Sequence, residues 1–172
     1  MKKLLLVAAI VALAPMSAMA VDGTINVTGQ VTASTCKING AVSPATIDVV
    51  LPTVSTTSLN ANAVTAGNKA FTIALSECGA LTQAVTYFEQ GANTLANGNL
   101  KSNGTANNVQ VRLLNNDLTA IDVSKASTLQ NSKPVAISSG AANLNYWAQY
   151  YAIGQATAGT VTTSVQFTMQ YQ

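Results

Sequence analysis

Two stretches of strict alternation, one at each end of the chain, limit what it can fold into. Near the start, Thr24-Ile25-Asn26-Val27-Thr28-Gly29-Gln30-Val31 puts Ile25, Val27 and Val31 on one face, with Gly29 on that same face. At the end, Val161, Val165, Phe167, Met169 and Tyr171 share one face of a run that stops at Gln172. A period of two is the mark of a β-strand with one buried side. With no residue after Gln172 to cover it, the last strand is expected at a sheet edge. An apolar-faced edge at a chain end needs a neighbour. A spare strand at the beginning and an open edge at the end are the parts needed to join copies head to tail by strand addition.

The first twenty residues read as an export signal rather than as structure. Lys2 and Lys3 supply a basic start, residues 4–13 an apolar run, and Ala18-Met19-Ala20 a small-x-small cleavage site. That run is too short to span a bilayer, which takes roughly 20 residues. The remainder, residues 21–172, is expected to be exported and soluble. Removing Lys2 and Lys3 leaves six basic residues against six acidic ones. The basic character therefore belongs to the precursor, and no nucleic-acid footprint is present.

Residues 21–172 have the length of one ordinary domain able to bury a real core. Only 8% of the chain is charged, while Thr, Ser, Asn, Ala and Val abound. That balance suits strands with neutral polar outer faces better than surface helices, so an all-β fold is expected. Cys36 and Cys78 are the only cysteines. In an exported chain they point to a single disulfide, the alternative being two free buried thiols.

Strand candidates recur at the spacing of a sandwich. Residues 46–51 are β-branched and stop at Pro52, 60–68 read as a polar connection, and 71–75 alternate up to Cys78. Residues 84–89 form another short strand. Between 91 and 108, Asn, Gly, Ser and Thr dominate, with Asn97-Gly98 and Asn103-Gly104 as turn formers; the longest exposed loop or a short hairpin belongs there. Residues 109–114 and 120–123 flank a turn at Asn115-Asn116-Asp117, and 135–137, 144–153 and 161–171 complete the set.

Catalytic chemistry finds little to work with. The chain has no histidine, so the serine triad and the commonest general base are missing, and no CxxC or other metal-ligand spacing occurs. Asp22, Asp48, Glu77, Glu89, Asp117 and Asp122 are scattered and read as solvated strand ends and turns. Neither an enzyme nor a cofactor is expected.

Five segments carry a family resemblance when taken in order. They are Gly23-Thr24-Ile25-Asn26-Val27-Thr28-Gly29-Gln30-Val31 followed by Cys36; Phe71-Thr72-Ile73-Ala74-Leu75-Ser76-Glu77-Cys78; Val111-Arg112-Leu113-Leu114-Asn115 with Ile121-Asp122; Tyr146-Trp147-Ala148-Gln149-Tyr150-Tyr151-Ala152; and Gly159-Thr160-Val161 leading to Phe167-Thr168-Met169-Gln170-Tyr171-Gln172. Together they resemble the pilin subunits of the chaperone–usher pathway, close to the type 1 major fimbrial subunit, over essentially all of residues 21–172. The resemblance implies an incomplete immunoglobulin-like sandwich lacking its last strand, with an N-terminal donor-strand extension over 21–33 and a pilin domain over 34–172. Ile25, Val27, Gly29 and Val31 would be the donor residues. Val161, Val165, Phe167, Met169, Tyr171 and Gln172 would form the acceptor groove and chaperone-binding strand.

The partners so implied are other copies of the chain or related pilins, a periplasmic chaperone whose basic residues hold the Gln172 carboxylate, and an outer-membrane usher. The product would be a surface fimbrium supporting cell adhesion, reached through the periplasm. Other readings stay open on sequence alone. The N-terminal segment could be an ordinary edge strand of a closed sandwich, and Gly29 a bulge or joint rather than a residue facing a bulky groove floor. The chain could be a minor adaptor or an adhesin, or a shaft subunit that adheres through 91–108. Tyr146, Trp147, Tyr150 and Tyr151 are expected to split between core and surface rather than form a sugar platform. Asn26-Val27-Thr28 and Asn103-Gly104-Thr105 fit a glycosylation pattern that chance explains in so Asn- and Thr-rich a chain.

Overall fold

The computed structural model describes residues 36–41 and 43–172, together with Val27 and Thr28. The chain divides into two units, Met1–Thr32 and Ala33–Gln172. The export signal expected over 1–20, and Ile25, Gly29 and Val31 of the expected donor strand, lie outside the described residues.

The second unit is built almost wholly of strands, and its helical content among the described residues is two short 3-10 turns, Thr56–Leu59 and Ser127–Leu129. One sheet runs in the order β1 (Lys37–Ile38), β2 (Thr65–Ser76), β7 (Ala142–Ala152), β5 (Val109–Asn115) and β4 (Leu100–Lys101). The other runs β6 (Val135–Ala136), β3 (Gln83–Phe88) and β8 (Phe167–Tyr171). All pairings are antiparallel. Inward residues of both sheets form one core: Ile73 and Leu75 of β2, Leu113 of β5, Leu144 and Tyr146 of β7, and Ala84 and Phe88 of β3. The edge-on packing of Phe88 on Tyr146, with centroids 5.4 Å apart, joins the two sheets. This is the all-β, incomplete sandwich that the sequence implies.

Cys36 and Cys78 are bonded and buried, tying the entrance of β1 to the exit of β2. The turn after β5 closes through Asn115 and Thr119, whose backbone groups bond at 2.9 Å. Asp117 accepts from Thr119 and pairs with Lys133. The Lys133 ammonium, helped by Thr119, holds the Asp117 carboxyl well down, at about 2. The pairing is therefore complete above the ordinary carboxylate range and is lost only as pH falls toward 2. An NMR titration of Asp117 should give a midpoint near 2, and a midpoint near 4 would show that the pair does not form in solution.

Buried polar groups fasten the loops to the strands. Gln130 is fully buried, and its side-chain amide takes the Phe88 N–H at 3.1 Å and gives to the Phe88 carbonyl at 2.6 Å, so it pairs the end of β3 as a strand would. Replacing it strands both backbone groups, each costing about 1–3 kcal/mol. We expect Gln130→Leu to lower stability by on the order of 3 kcal/mol in denaturant unfolding. A change under about 1 kcal/mol would mean that water replaces the amide.

The structure refines the sequence reading at several places, among them residues 120–123, expected as a strand, where Ala120 makes an isolated bridge to Leu114. β2 begins at Thr65, inside the stretch expected to be a connection, because a bulge between Ala66 and Lys69 lets the strand continue past Gly67. Gly67 has φ +68°, and a Cβ there would lie 2.8 Å from the Tyr150 ring. Of the two readings open for 91–108, an exposed loop or a short hairpin, the structure favours the second: the stretch holds β4, bridges Thr94 to Leu100 and buries Asn99 and Leu100. Residues 46–51 and 161–166 alternate in burial as strands do, yet neither is laddered to another segment among the described residues.

Candidate functional site

Those two unladdered stretches face one another across a groove of about 1540 Å³. One wall is residues 45–51, where Ala45, Ile47, Val49 and Leu51 turn half-buried toward the core while Thr46, Asp48 and Val50 face water. The other wall is residues 161–171, where Val161, Thr163, Val165, Phe167, Met169 and Tyr171 turn inward and the residues between them outward. The floor is core: Ile73 from β2, Val111 and Leu113 from β5, and Ala148 from β7. Small-molecule pockets occupy roughly 300–1,000 Å³. This groove is larger, apolar along its floor, and as long as a strand.

Backbone parity tells which edge is free. In a strand, the N–H and C=O of one residue point to the same side and those of the next to the opposite side. The even-numbered carbonyls all turn away from the groove. The Gln166 oxygen accepts from Glu89 N–H at 2.8 Å, the Ser164 oxygen from the Asn93 side chain at 3.0 Å, the Thr162 oxygen from Asn103 N–H at 2.7 Å, and the Thr160 oxygen from Ala106 N–H at 3.0 Å. Farther along, Gln172 and Gln83 exchange bonds at 3.0 and 3.1 Å in the same phase. The N–H and C=O groups of Val161, Thr163 and Val165 must then point into the groove, and none of them bonds to another backbone group among the described residues. The same phase carries through Phe167, Met169 and Tyr171, since β8 is the outer strand of its sheet. On the opposite wall, residues 45–51 make no backbone hydrogen bond with any described residue.

A row of unpaired peptide groups beside an apolar trough is a template for another strand. The Thr163 hydroxyl is buried in that wall without a partner among the described residues. Burial raises the pKa of the Tyr171 phenol, an effect partly offset by a backbone hydrogen bond from Cys36. Tyr171 packs against the core cluster that includes the disulfide. One oxygen of the Gln172 carboxylate accepts from Thr82 N–H, Gln83 N–H and the Thr82 hydroxyl.

Most of the residues singled out in the sequence come together here. Val161, Val165, Phe167, Met169 and Tyr171 all line the groove, and Gln172 sits just beyond it, bonded to β3. Of the expected donor residues only Val27 is described, and it is exposed. The opposite wall was readable as a strand but not as a groove wall, although the alternation of Ala45, Ile47, Val49 and Leu51 is plain in the sequence. The aromatic strand divides as expected. Tyr146 is in the core and Tyr150 lines the groove, where burial raises its hydroxyl pKa. Tyr151 lies on the outer face under the Arg112 guanidinium at 3.9 Å. Among the described residues no cluster of His, Cys, Asp or Glu is arranged to hold a metal ion.

Comparison with known proteins gives the family. Residues 25–172 match the fimbrial protein family. The chain is 41% identical to the F17 fimbrial protein of Escherichia coli, with all of both chains covered. It is 43% identical to the major fimbrial subunit SMF-1 of Stenotrophomonas maltophilia, covering 93% of this chain and 98% of the relative. It is 34% identical to the minor fimbrial subunit HifD of Haemophilus influenzae, covering 98% and 82%. Among solved structures, a chaperone–usher pilus matches with a TM-score of 0.59 at 18% identity, over 92% of this chain and 100% of that one. The P pilus rod subunit PapA matches with a TM-score of 0.57 at 14% identity, over 80% and 99%. A sandwich with one strand's place left open, the pilin fold of its structural neighbours and full-length kinship with fimbrial subunits make this chain a member of the fimbrial protein family, a structural subunit and not an enzyme.

Proposed function

We propose that the chain polymerises head to tail, residues 25–31 of one copy filling the groove between residues 45–51 and 161–171 of the next. The observation that carries this reading is the free edge at Val161, Thr163 and Val165, whose peptide groups face an apolar trough. A seven-residue strand spans about 20 Å, shorter than the 161–171 wall beside which it would lie. With Ile25, Val27, Gly29 and Val31 turned inward, Asn26, Thr28 and Gln30 face water, as neutral polar residues should. Burying Ile25, Val27 and Val31 at about 1.5–3 kcal/mol each contributes roughly 5–9 kcal/mol, which ordering of the segment partly offsets.

Until that strand arrives the groove needs a substitute, and a periplasmic chaperone lending a strand, followed by delivery to an outer-membrane usher, supplies one. Residues 1–20 direct the export and 21–33 form the extension. The finished fimbrium supports adhesion at the cell surface. The kinship with F17 and SMF-1 subunits over nearly the full chain favours a repeated shaft subunit. The likeness to HifD supports a second reading as a minor subunit, built from the same parts.

Neighbouring positions on the donor segment test the insertion. Val27→Asp would bury an unpaired carboxylate, whereas Thr28→Asp would leave it in water. We expect denaturant-resistant multimers to disappear with Val27→Asp and to persist with Thr28→Asp. Equal behaviour of the two variants would sink the proposed register.

A further inference from the structure

The two halves of the acceptor wall are held by different means. From Phe167 to Tyr171 the wall is a regular strand laddered to β3. From 160 to 166 it has no partner strand among the described residues, and its outer side is bonded instead to the polar connection 89–108. We infer that this connection, through Asn93, Asn103, Thr105 and Ala106, is a splint that holds residues 160–166 straight and turned toward an incoming strand, with Thr105 and Thr160 as positioning residues for strand capture. The inference rests on the strand-acceptor reading of the groove.

The bonds form a reciprocal seam. Thr105 and Thr160 each give their backbone N–H to the other's hydroxyl, at 3.1 and 2.9 Å, and the two hydroxyls lie 3.3 Å apart. Asn103 gives its backbone N–H to Thr162 and its side-chain amide to Asn93 Oδ1 at 2.9 Å. Asn93 in turn gives its own amide to the Ser164 carbonyl. The backbones approach so closely that a Cβ on Gly104 would overlap the Thr160 carbonyl, and one on Gly159 would overlap the Ala106 nitrogen. Every bond falls on the side away from the groove. The seam therefore satisfies the even-numbered carbonyls while Val161, Thr163 and Val165 bond to no backbone group among the described residues, so the wall keeps a strand conformation with its inner edge turned to the groove. Without it, residues 160–166 would be a chain segment to be ordered at the moment of capture, and capture would slow accordingly.

The test uses the full chain purified with its periplasmic chaperone, challenged with a synthetic peptide of residues 21–33. The wild type should release chaperone and take up peptide. Joint Thr105→Val and Thr160→Val replacement should slow uptake about tenfold or more, and Gly104→Ala should do the same without removing a hydroxyl. Thr105→Ser with Thr160→Ser, which keeps both hydroxyls, should restore uptake to within about twofold of the wild-type rate. Amide exchange should accelerate at Asn103, Ala106 and Thr160 in the valine variant and stay unchanged in β3. Wild-type uptake by the valine variant would overturn the splint and leave strand capture standing. Absence of uptake by the wild type would overturn strand capture, and the splint with it.

Discussion

A chain carrying a second copy of residues 24–31 after Gln172, joined by a short turn, should fold as a stable monomer that needs no chaperone. The added segment would turn back beside 161–171 as a hairpin partner. The free peptide groups of Val161, Thr163 and Val165 would then be paired within one molecule. Burial of Ile25, Val27 and Val31 contributes roughly 5–9 kcal/mol, reduced by the ordering of the segment. A gain of several kcal/mol is large against the roughly 5–15 kcal/mol of a typical domain. By contrast, the native chain with an empty groove should be poorly stable, slow to fold or prone to self-association, because core is left open to water. Denaturant unfolding compares the two, and a fused chain no more stable than the native one would show that the groove is not an unfilled strand position.

Loss of the disulfide should be the next largest effect. Cys36 and Cys78 are 42 residues apart, and closing a loop of that length in the unfolded chain stabilises the fold by about 4 kcal/mol. The bond also fixes the entry to β1 within the core cluster against which Tyr171 packs. Joint replacement of both cysteines by alanine should leave little folded subunit and few filaments. Unfolding of the variant in denaturant measures the loss, and a midpoint equal to the wild type would show that the crosslink is incidental.

Where alternation is strong, the sequence reveals much of this architecture. The apolar period of two at Val161, Val165, Phe167, Met169 and Tyr171 marks the inward face of the last strand, and two cysteines in an exported chain leave one pairing. The hairpin at Asn115 is legible because Asn and Asp favour turns. What sequence hides is which strands lack partners. Residues 46–51 and 161–166 have strand composition, but whether a strand is laddered depends on distant segments and not on its own residues. The bulge at Gly67 is hidden for a similar reason, since it answers to the Tyr150 ring on β7. Most opaque is the stretch from 91 to 108, whose Asn, Gly and Thr read as an exposed loop or a short hairpin. Its bonds reach Thr160, Thr162 and Ser164, more than fifty residues away, so its role emerges only in three dimensions.

The most direct test of head-to-tail strand exchange is the size and heat resistance of the exported protein with and without residues 21–33, each purified from an oxidising periplasm alongside a pilin chaperone. If strand exchange builds the filament, the complete chain forms linear multimers that resist denaturant, and the shortened chain stays a monomer bound to chaperone. Two equally stable, chaperone-free monomers would contradict it, placing the N-terminal strand within its own sandwich and leaving head-to-tail assembly without a mechanism.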